Sequence, residues 1–500
     1  MGGAFTLALV LAPAAAIVLI LLTWRPGLSA YLNLAASIVS FACALPLNFL
    51  ARQGTETYWD GYILIDGLSA WVILCAAIVY LLASLYAVGY MRLLKEEEPR
   101  LSLFYALFAG FALTTLVGPM MNNAGLFWIA IELTTLVSTF LVAFERAPES
   151  IEAAWKYIIV VSAGISLALL GTVLFYWAGS LVIGPTYEMT WAALRSAAPN
   201  MNRPLLILAF LLVLIGYGTK VGLAPMHTWL PDAHSEGPTP VSALLSGALL
   251  NTAMIGLVRY LAIADAAEVG PLPRLTLIGL GLVSLIVATL FIVRQEGIKR
   301  LMAYSSVEHM GVIALGVGFG GVFGLAGALY HMLNHSLNKS LMFFGAGSMM
   351  RSYQTKDIGK IHSVSMRFPV VGALWLAGAV AITGAPPFGL FASELSILRA
   401  GLQTHAGWVS FVMAVLLIII FIAFLNHFRR MYFEPTDRTV IARQNQASPS
   451  AVSAWCTLPM WLALLPLLGL GLWWPQAMWT YFGVIAHSLG DGMLSLGGPQ

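Results

Sequence analysis

Fourteen long apolar runs dominate this chain, and no other feature limits its folding so strongly. A helix crossing the hydrocarbon core of a bilayer needs about 20 mostly apolar residues. Runs of that size lie at 4–23, 29–50, 67–91, 101–119, 123–144, 152–178, 204–225, 238–263, 273–293, 298–317, 320–349, 368–398, 406–433 and 451–473. Inside a bilayer every backbone N–H and C=O must find a partner within the protein, so such runs fold as helices. The expected fold is therefore all-α integral membrane, with about 14 transmembrane helices in a single polytopic domain over 1–500. Residues 186–200 read as a short polar insert, an interfacial helix, and Gly483–Gln500 as a short surface-lying tail.

Charge sets the orientation and excludes several functions. Only 9% of the 500 residues are charged, against roughly a quarter in soluble proteins. The net charge of +3 is small and not gathered on one face, so no nucleic-acid partner is expected. Alternate connections carry Arg25; Arg92, Lys95 and Arg100; Arg146; Arg294, Lys299 and Arg300; Arg351, Lys356, Lys360 and Arg367; and Arg429, Arg430, Arg438 and Arg443. The opposite connections carry Arg52, Arg195, Arg203, Arg259, Arg274 and Arg399. The positive-inside rule places the richer set in the cytoplasm and both termini outside, which an even number of spans requires. The apolar N-terminus lacks a basic stretch and a cleavage site, so no removable signal peptide is expected. Cys43, Cys75 and Cys456 each stand alone in an apolar run, without metal-ligand or cluster spacing, and read as small core residues. There is no phosphate-cradling loop of the Walker type and no dinucleotide fingerprint. No cofactor, metal, redox centre or hydrolytic centre is expected, so any pumping draws its energy from a partner or an existing gradient.

The charges and imidazoles left within the spans are Glu132, Lys156, Lys220, Glu308, His309, His331, His335, Lys339 and Glu394. A charge at mid-bilayer costs about 2.5–3.5 kcal/mol on insertion scales, and such residues face the bundle interior or a water-filled cavity. Some can be structural ion pairs near helix ends, Lys156 above all. Lys220 lies in Gly216-Tyr217-Gly218-Thr219-Lys220-Val221-Gly222, with Pro225 shortly after. Gly and Pro weaken the helical ladder, and a helix broken at membrane depth persists only inside protein or beside a cavity. Burial favours the neutral amine and a carboxylate the ammonium, so moving one partner can switch a lysine. Glu132 on the fifth span is the expected partner.

A second interruption, Thr383-Gly384-Ala385-Pro386-Pro387-Phe388-Gly389, falls in the twelfth span, and Glu394 follows within about two helical turns. Matching broken helices predict two inverted five-helix repeats, helices 4–8 and 9–13, with helices 7 and 12 broken. The chain then divides into N-terminal helices 1–3 over 1–100, a first repeat over 101–263, a second over 273–433, and a last helix with tail over 451–500.

His331, His335 and Lys339 are spaced by four and share one helical face. Imidazoles and an amine stacked in this way can pass a proton through intervening water. Two alternatives stay open: a structural hydrogen-bonded row, and zinc on the His331/His335 pair, whose intervening residues lack the Glu of the usual zinc motif. The loop from His227 to Pro240, with Asp232, His234 and Glu236, reads either as a polar cytoplasmic mouth or as a tight Pro-fixed connection with solvated charges.

The stretch Gly218-Thr219-Lys220, then Pro225-Met226-His227-Thr228-Trp229-Leu230-Pro231-Asp232-Ala233, then Gly237-Pro238-Thr239-Pro240-Val241-Ser242 resembles the signature of the antiporter-like subunits of respiratory complex I. That superfamily includes membrane-bound group 4 hydrogenase subunits and multisubunit cation/proton antiporters. Ile298-Lys299-Arg300-Leu301-Met302-Ala303-Tyr304-Ser305-Ser306 and His331…His335…Lys339 carry the same resemblance, which covers essentially the whole chain. Ile131-Glu132-Leu133-Thr134-Thr135, Glu152-Ala153-Ala154-Trp155-Lys156-Tyr157 and Ser305-Ser306-Val307-Glu308-His309-Met310-Gly311 look most like the hydrogenase-4 component F subfamily.

The resemblance implies a proton path. Glu132 would pair with Lys220, His331, His335 and Lys339 would form the central connection, and Glu394 would end it. Lys156, His227, Asp232, His234, Asn251, Glu308 and His309 would be secondary or mouth positions. Asn251 stands where many members carry Lys or His, and Asn holds no transferable charge near neutral pH, so water would have to bridge that point. The implied partners are other membrane subunits, through them a peripheral redox arm, and membrane lipid. The implied location is a bacterial or archaeal cytoplasmic membrane. The leading expectation is a proton-translocating subunit of a complex I-like oxidoreductase of group 4 hydrogenase or formate hydrogenlyase type. The alternatives are a cation/proton antiporter subunit, the membrane partner of a bicarbonate-uptake complex, and a structural anchor with a decayed relay.

Overall fold

The structure is a computed structural model that describes residues 2–93, 100–404, 406–433 and 453–490. Lys95, Arg438 and Arg443 of the basic set, and the tail after Gly490, lie outside the described residues.

Within these residues the chain is a helical bundle. It opens with α1 (Gly2–Thr23) and α2 (Pro26–Ala51). An antiparallel hairpin follows, β1 (Glu56–Tyr58) against β2 (Ile63–Ile65), with Glu56 opposite Ile65. Then come α3 (Gly67–Tyr90), α4 (Leu101–Val117), α5 (Ala124–Val142), α6 (Pro148–Ile183), the short α7 (Trp191–Ala197) and α8 (Arg203–Val221). The chain continues through α9 (Trp229–Glu236), α10 (Thr239–Leu244), α11 (Leu250–Ala266), α12 (Leu272–Val293), α13 (Ile298–Phe319), α14 (Gly321–Tyr353) and α15 (Val364–Arg367). It closes with α16 (Pro369–Ile382), α17 (Gly389–Leu402), α18 (Gly407–Phe433), α19 (Ala454–Leu472) and α20 (Gln476–Ser488).

Among the described residues, eleven helical stretches are long and apolar enough to cross a membrane. The three remaining expected spans are present as α13, α14 and the α16–α17 pair, which complete the fourteen. They differ from the other eleven for a physical reason. The first two carry the polar residues of the interior, and the third is split by its break. Such helices persist at membrane depth because protein surrounds them. Along α13 only Arg300 is exposed.

Burial orders the bundle from axis to rim. The most apolar window of Thr239–Ala266 is 100% buried, whereas those of α1 and α18 are 28% buried. The rim helices turn Leu22, Phe411 and Ile422 outward, as a lipid-facing surface demands. Cys43, Cys75 and Cys456 are buried and free. The same order of neighbours occurs twice: α4 on α5, α5 on α6, α6 on α8 and α8 on α11; then α12 on α13, α13 on α14, α14 on α17 and α17 on α18. The insert at 186–200 contains α7, as expected.

The expected surface tail differs. Residues 483–488 complete α20, whose Ile485 and Ala486 are buried. An aromatic cluster holds that helix: Trp71 lies 4.8 Å from Phe482, and Trp474 stacks on Tyr330 at 4.2 Å. Such ring pairs add about 0.5–1.5 kcal/mol each beyond their burial.

Asp66 ties α3 to α11. It caps α3 and forms a two-pronged ion pair with Arg259 of α11, both bonds 3.0 Å. Burial opposes ionisation of Asp66, but Arg259 and the Ser69 donors outweigh it and hold the carboxyl below its ordinary pKa. A carboxylate shifted in this direction stabilises the fold above its unfolded pKa, and that contribution fades as pH falls through the folded value.

Candidate functional site

Two broken helices position the polar interior. The first break follows Lys220, in the last turn of α8, where the free carbonyl ends favour a cation. Gly222 then turns left-handed at φ 83°, which an L side chain rarely adopts. The loosened groups are satisfied from outside: Trp229 Nε1 donates to the Thr219 carbonyl at 2.8 Å, and Ala224 N donates to Ser284 Oγ at 2.9 Å. The second break lies between α16 and α17. Gly384 has φ 66°, and a Cβ there would strike the Glu394 carboxylate. Glycine at this position thus suits the left-handed turn and leaves the carboxylate its place.

Lys220 is fully buried, and its ammonium donates to Thr135 Oγ1 at 2.7 Å and Tyr157 OH at 3.0 Å. Glu132 does not touch it directly. Thr135, one turn along α5, donates to Glu132 Oε2 at 3.2 Å, and Ser162 donates to Oε1 at 2.7 Å. Lysine and glutamate are therefore joined through one hydroxyl. Tyr157 in turn pairs with Ser138 at 2.7 Å, and its ring, 4.8 Å from that of Trp229, lies 5.2 Å from the lysine Nζ and shields it.

The last span of the first repeat contains a stretch of wider π-helical turns, Leu245–Leu249, between α10 and α11, which packs on α14 of the second. Such turns leave backbone carbonyls without their usual helical partners. Gly247 O accepts from Ser336 Oγ at 2.6 Å and from Asn251 Nδ2 at 3.1 Å. Asn251 also donates to the Met332 carbonyl at 3.2 Å and to Ser336 at 3.0 Å, which ties α11 to α14.

On α14 the row His331, His335, Lys339 is wholly buried and faces α13 along its length. His331 Nε2 lies 3.0 Å from His309 Nδ1, and the His335 ring is 5.5 Å from that of His309. Lys339 donates to the Met302 carbonyl at 3.1 Å and to Ser305 Oγ. On its other side His331 Nδ1 meets Ser393 Oγ at 2.9 Å, beside Glu394 on α17. Both oxygens of Glu308, both ring nitrogens of His335 and Oε1 of Glu394 are buried without a hydrogen-bond partner among the described residues. Glu394 also lines a cavity of about 250 Å³ between α17 and α18, with Thr383, Phe391 and Ile418. His309, His331 and Glu394 each bring a ligand-type atom within 4.8 Å of the others.

The mouth positions separate. Lys156 is half exposed and pairs with Glu152 at 2.6 Å and Asp232 at 3.3 Å. Asp232 also pairs with Arg300, so both charges belong to the surface. His234 turns inward instead: Nδ1 meets the Leu230 carbonyl at 2.9 Å and the ring packs 5.6 Å from Phe343. His227 is buried with its ring 6.2 Å from Tyr304. A cavity of about 240 Å³, lined by Glu145, Glu236, Arg351 and Lys356, reaches Lys299, whose Nζ donates to the Gly237 carbonyl at 2.5 Å.

The structure thus gathers Glu132 with Lys220, and His309 and His331 with Glu394, while Lys339 sits two turns away with its own partners. Reading the sequence missed Thr135, Tyr157, Ser162, Ser305 and Ser393 as contacts. The hydroxyl three residues after Glu132 was the one signal available, since such residues are neighbours on a helix.

Residues 122–421 match the family described as NADH:quinone oxidoreductase/Mrp antiporter, transmembrane. The chain is 37% identical over 382 residues to a hydrogenase-4 component F homolog of Methylacidiphilum infernorum, covering 75% of this chain and 78% of that one. Two solved structures share the fold. A chain of the membrane-bound sulfane sulfur reductase, an archaeal respiratory membrane complex, superposes with a TM-score of 0.85 at 21% identity, over 97% of this chain and 98% of its own. A chain of the Mrp complex from Dietzia sp. DQ12-45-1b gives 0.82 at 20% identity, over 98% of both. The repeated helix order, the two broken helices and the family match lead to one conclusion: the chain belongs to the NADH:quinone oxidoreductase/Mrp antiporter transmembrane family, as a multi-pass, antiporter-like membrane subunit of the complex I-like kind.

Proposed function

We propose that this chain moves protons across a prokaryotic cytoplasmic membrane, driven by redox chemistry in partner subunits of a group 4 hydrogenase or formate hydrogenlyase type of complex. The observation that carries the reading is the buried series of titratable groups around both breaks: Glu132 and Lys220 on one side, His309, His331 and Glu394 on the other, with His335 and Lys339 between. A buried charge at membrane depth is costly, and a proton path is what such groups supply. The hydrogenase type rests on the 37% identical relative. Lys220 would be the switch. With Glu132 near, the ammonium is favoured; with Glu132 turned away, burial releases its proton. The basic end formed by Arg300, Arg351 and Lys356 would face the cytoplasm, with both chain termini outside.

The test is reconstitution in vesicles. Lys220→Ala should abolish proton uptake, and the subunits co-purifying with the chain should include a nickel–iron or iron–sulfur protein. Unchanged uptake would remove Lys220 from the path.

A second reading, cation/proton exchange, is favoured by the fold shared with the Mrp chain. It requires activity that depends on sodium and survives without a redox partner.

A further inference from the structure

We propose that His309, His331 and Glu394 form a binding site for a divalent transition-metal ion of the zinc class. Three helices supply the ligands: α13, α14 and α17. All three side chains are at least nine-tenths buried, and one ligand-type atom from each lies within 4.8 Å of the other two. The His309 Nδ1 to His331 Nε2 separation is 3.0 Å. Two ligands on a tetrahedral ion with bonds of about 2.0–2.1 Å lie about 3.3 Å apart, so a small opening admits the ion.

The surroundings prepare the ligand atoms. The hydroxyl of Ser393 donates its single proton to the Leu390 carbonyl at 2.8 Å. With its proton on that carbonyl, the hydroxyl accepts from His331 Nδ1–H at 2.9 Å, and the lone pair of His331 Nε2 then faces His309 Nδ1. A second partner that fixes the tautomer of a ligating imidazole is the usual outer support of a metal site. His309 need only move its proton from Nδ1 to Nε2 to become the second ligand. Glu394 Oε1 is buried without a partner and supplies the third. The adjacent cavity of about 250 Å³ borders this carboxylate and leaves room for it to move toward the imidazoles.

The donor set decides the ion. Two imidazoles and one carboxylate suit zinc, cobalt or nickel, whereas magnesium and calcium demand oxygen shells. Three protein ligands leave a fourth position for water. Glu308, next to His309 in the chain, keeps both carboxyl oxygens buried and unpartnered among the described residues. The site exists whether or not the same groups carry protons; where they do, a bound ion occupies proton positions and blocks them.

The test is Co²⁺ titration of the purified full-length chain, followed by its visible absorption, with Zn²⁺ and Mg²⁺ as competitors. We expect one Co²⁺ per chain with a tetrahedral spectrum, displaced by Zn²⁺ and not by Mg²⁺. Glu394→Gln and His309→Ala should each weaken binding at least tenfold, and Ser393→Ala, which keeps every ligand, by about 10–100-fold. Elution volume and melting midpoint check the fold of each variant, and the near-isosteric Glu394→Gln remains decisive where His309→Ala fails to fold. Absence of stoichiometric binding, or binding unchanged in Glu394→Gln and Ser393→Ala, overturns the site. Neither result bears on proton transport, because the readout involves no turnover.

Discussion

The two repeats share a framework and differ in what bridges it. Each places an acid on its second helix, Glu132 on α5 and Glu308 on α13. Each breaks its fourth helix and puts an ionisable residue beside the break, Lys220 before the first and Glu394 after the second. In the first repeat hydroxyls fill the space between, namely Thr135 and Tyr157. In the second, imidazoles fill it, namely His309 and His331. Hydroxyls orient a proton without holding a charge near neutral pH, whereas imidazoles can take one up. On the proposed path the first repeat is thus a switch with its opposite charges one hydroxyl apart, and the second is a relay able to store a proton. The break creates the polar place; the side chains set the carrier.

The largest effects test whether the two halves act in series. Lys220→Ala removes the cation and leaves Glu132 with hydroxyl partners alone, and proton uptake into vesicles should fall to background. Glu394→Gln keeps the shape of the second half and removes its terminal acid, and it should fall as far. Full activity in Glu394→Gln beside a dead Lys220→Ala would mean that the halves do not work in series. The next effect concerns the hydroxyl bridge. Hydrogen bonds to charged groups are worth about 1.5–3 kcal/mol, so Thr135→Val should slow uptake by about ten- to a hundredfold. Thr135→Ser should restore it. A Thr135→Val protein with wild-type uptake would place Glu132 in direct contact with Lys220 during turnover.

The contact between the repeats comes third. Asn251 holds α11 to α14 through two acceptors, the Met332 carbonyl and Ser336 Oγ. Asn251→Ala should lower stability by about 1–3 kcal/mol, read as a lower melting midpoint, and reduce uptake less than Thr135→Val does. A larger loss of uptake than of stability would assign Asn251 a part in the path itself, as the support of water between the halves.

How much of this was legible depends on the reach of each signal. The spans and both breaks were readable, because apolar length, Gly and Pro act locally along the chain. The buried charges were readable too, since a bilayer makes each one conspicuous. What joins them was not. Glu132 and Lys220 are 88 positions apart in number, and nothing in either segment says that Thr135 stands between them. Ser393 and His309 approach His331 from different helices, so that contact exists only after packing. No residue of Leu245-Ser246-Gly247-Ala248-Leu249 demands a π-helical turn. Lys156 and His234 show the same limit in opposite directions: both looked like mouth residues, yet one faces outward to Asp232 and the other inward to Phe343. Residues 483–488 depart from the expected surface tail for a related reason. The Gly-rich tail concealed a helix whose anchors, Tyr481 and Phe482, sit before it in the sequence.

The smallest predicted effect is the sharpest on the comparison. Tyr157 is the second acceptor of the Lys220 ammonium, and its hydroxyl also pairs with Ser138. Tyr157→Phe removes that oxygen and keeps the ring that shields the lysine. Thr135 remains as an acceptor, so the ammonium is not orphaned. The loss should be near the lower end for a bond to a charged group, about 1.5 kcal/mol, or roughly tenfold in uptake at most. The double variant Thr135→Val with Tyr157→Phe then separates two pictures. If the hydroxyls only steady the lysine, their losses should add. If Thr135 is the bridge along which Lys220 and Glu132 communicate, Thr135→Val has already cut it, and adding Tyr157→Phe should change uptake little further. The same design in the second repeat, with Ser393→Ala and His309→Gln, asks whether the two contacts of His331 act as one unit.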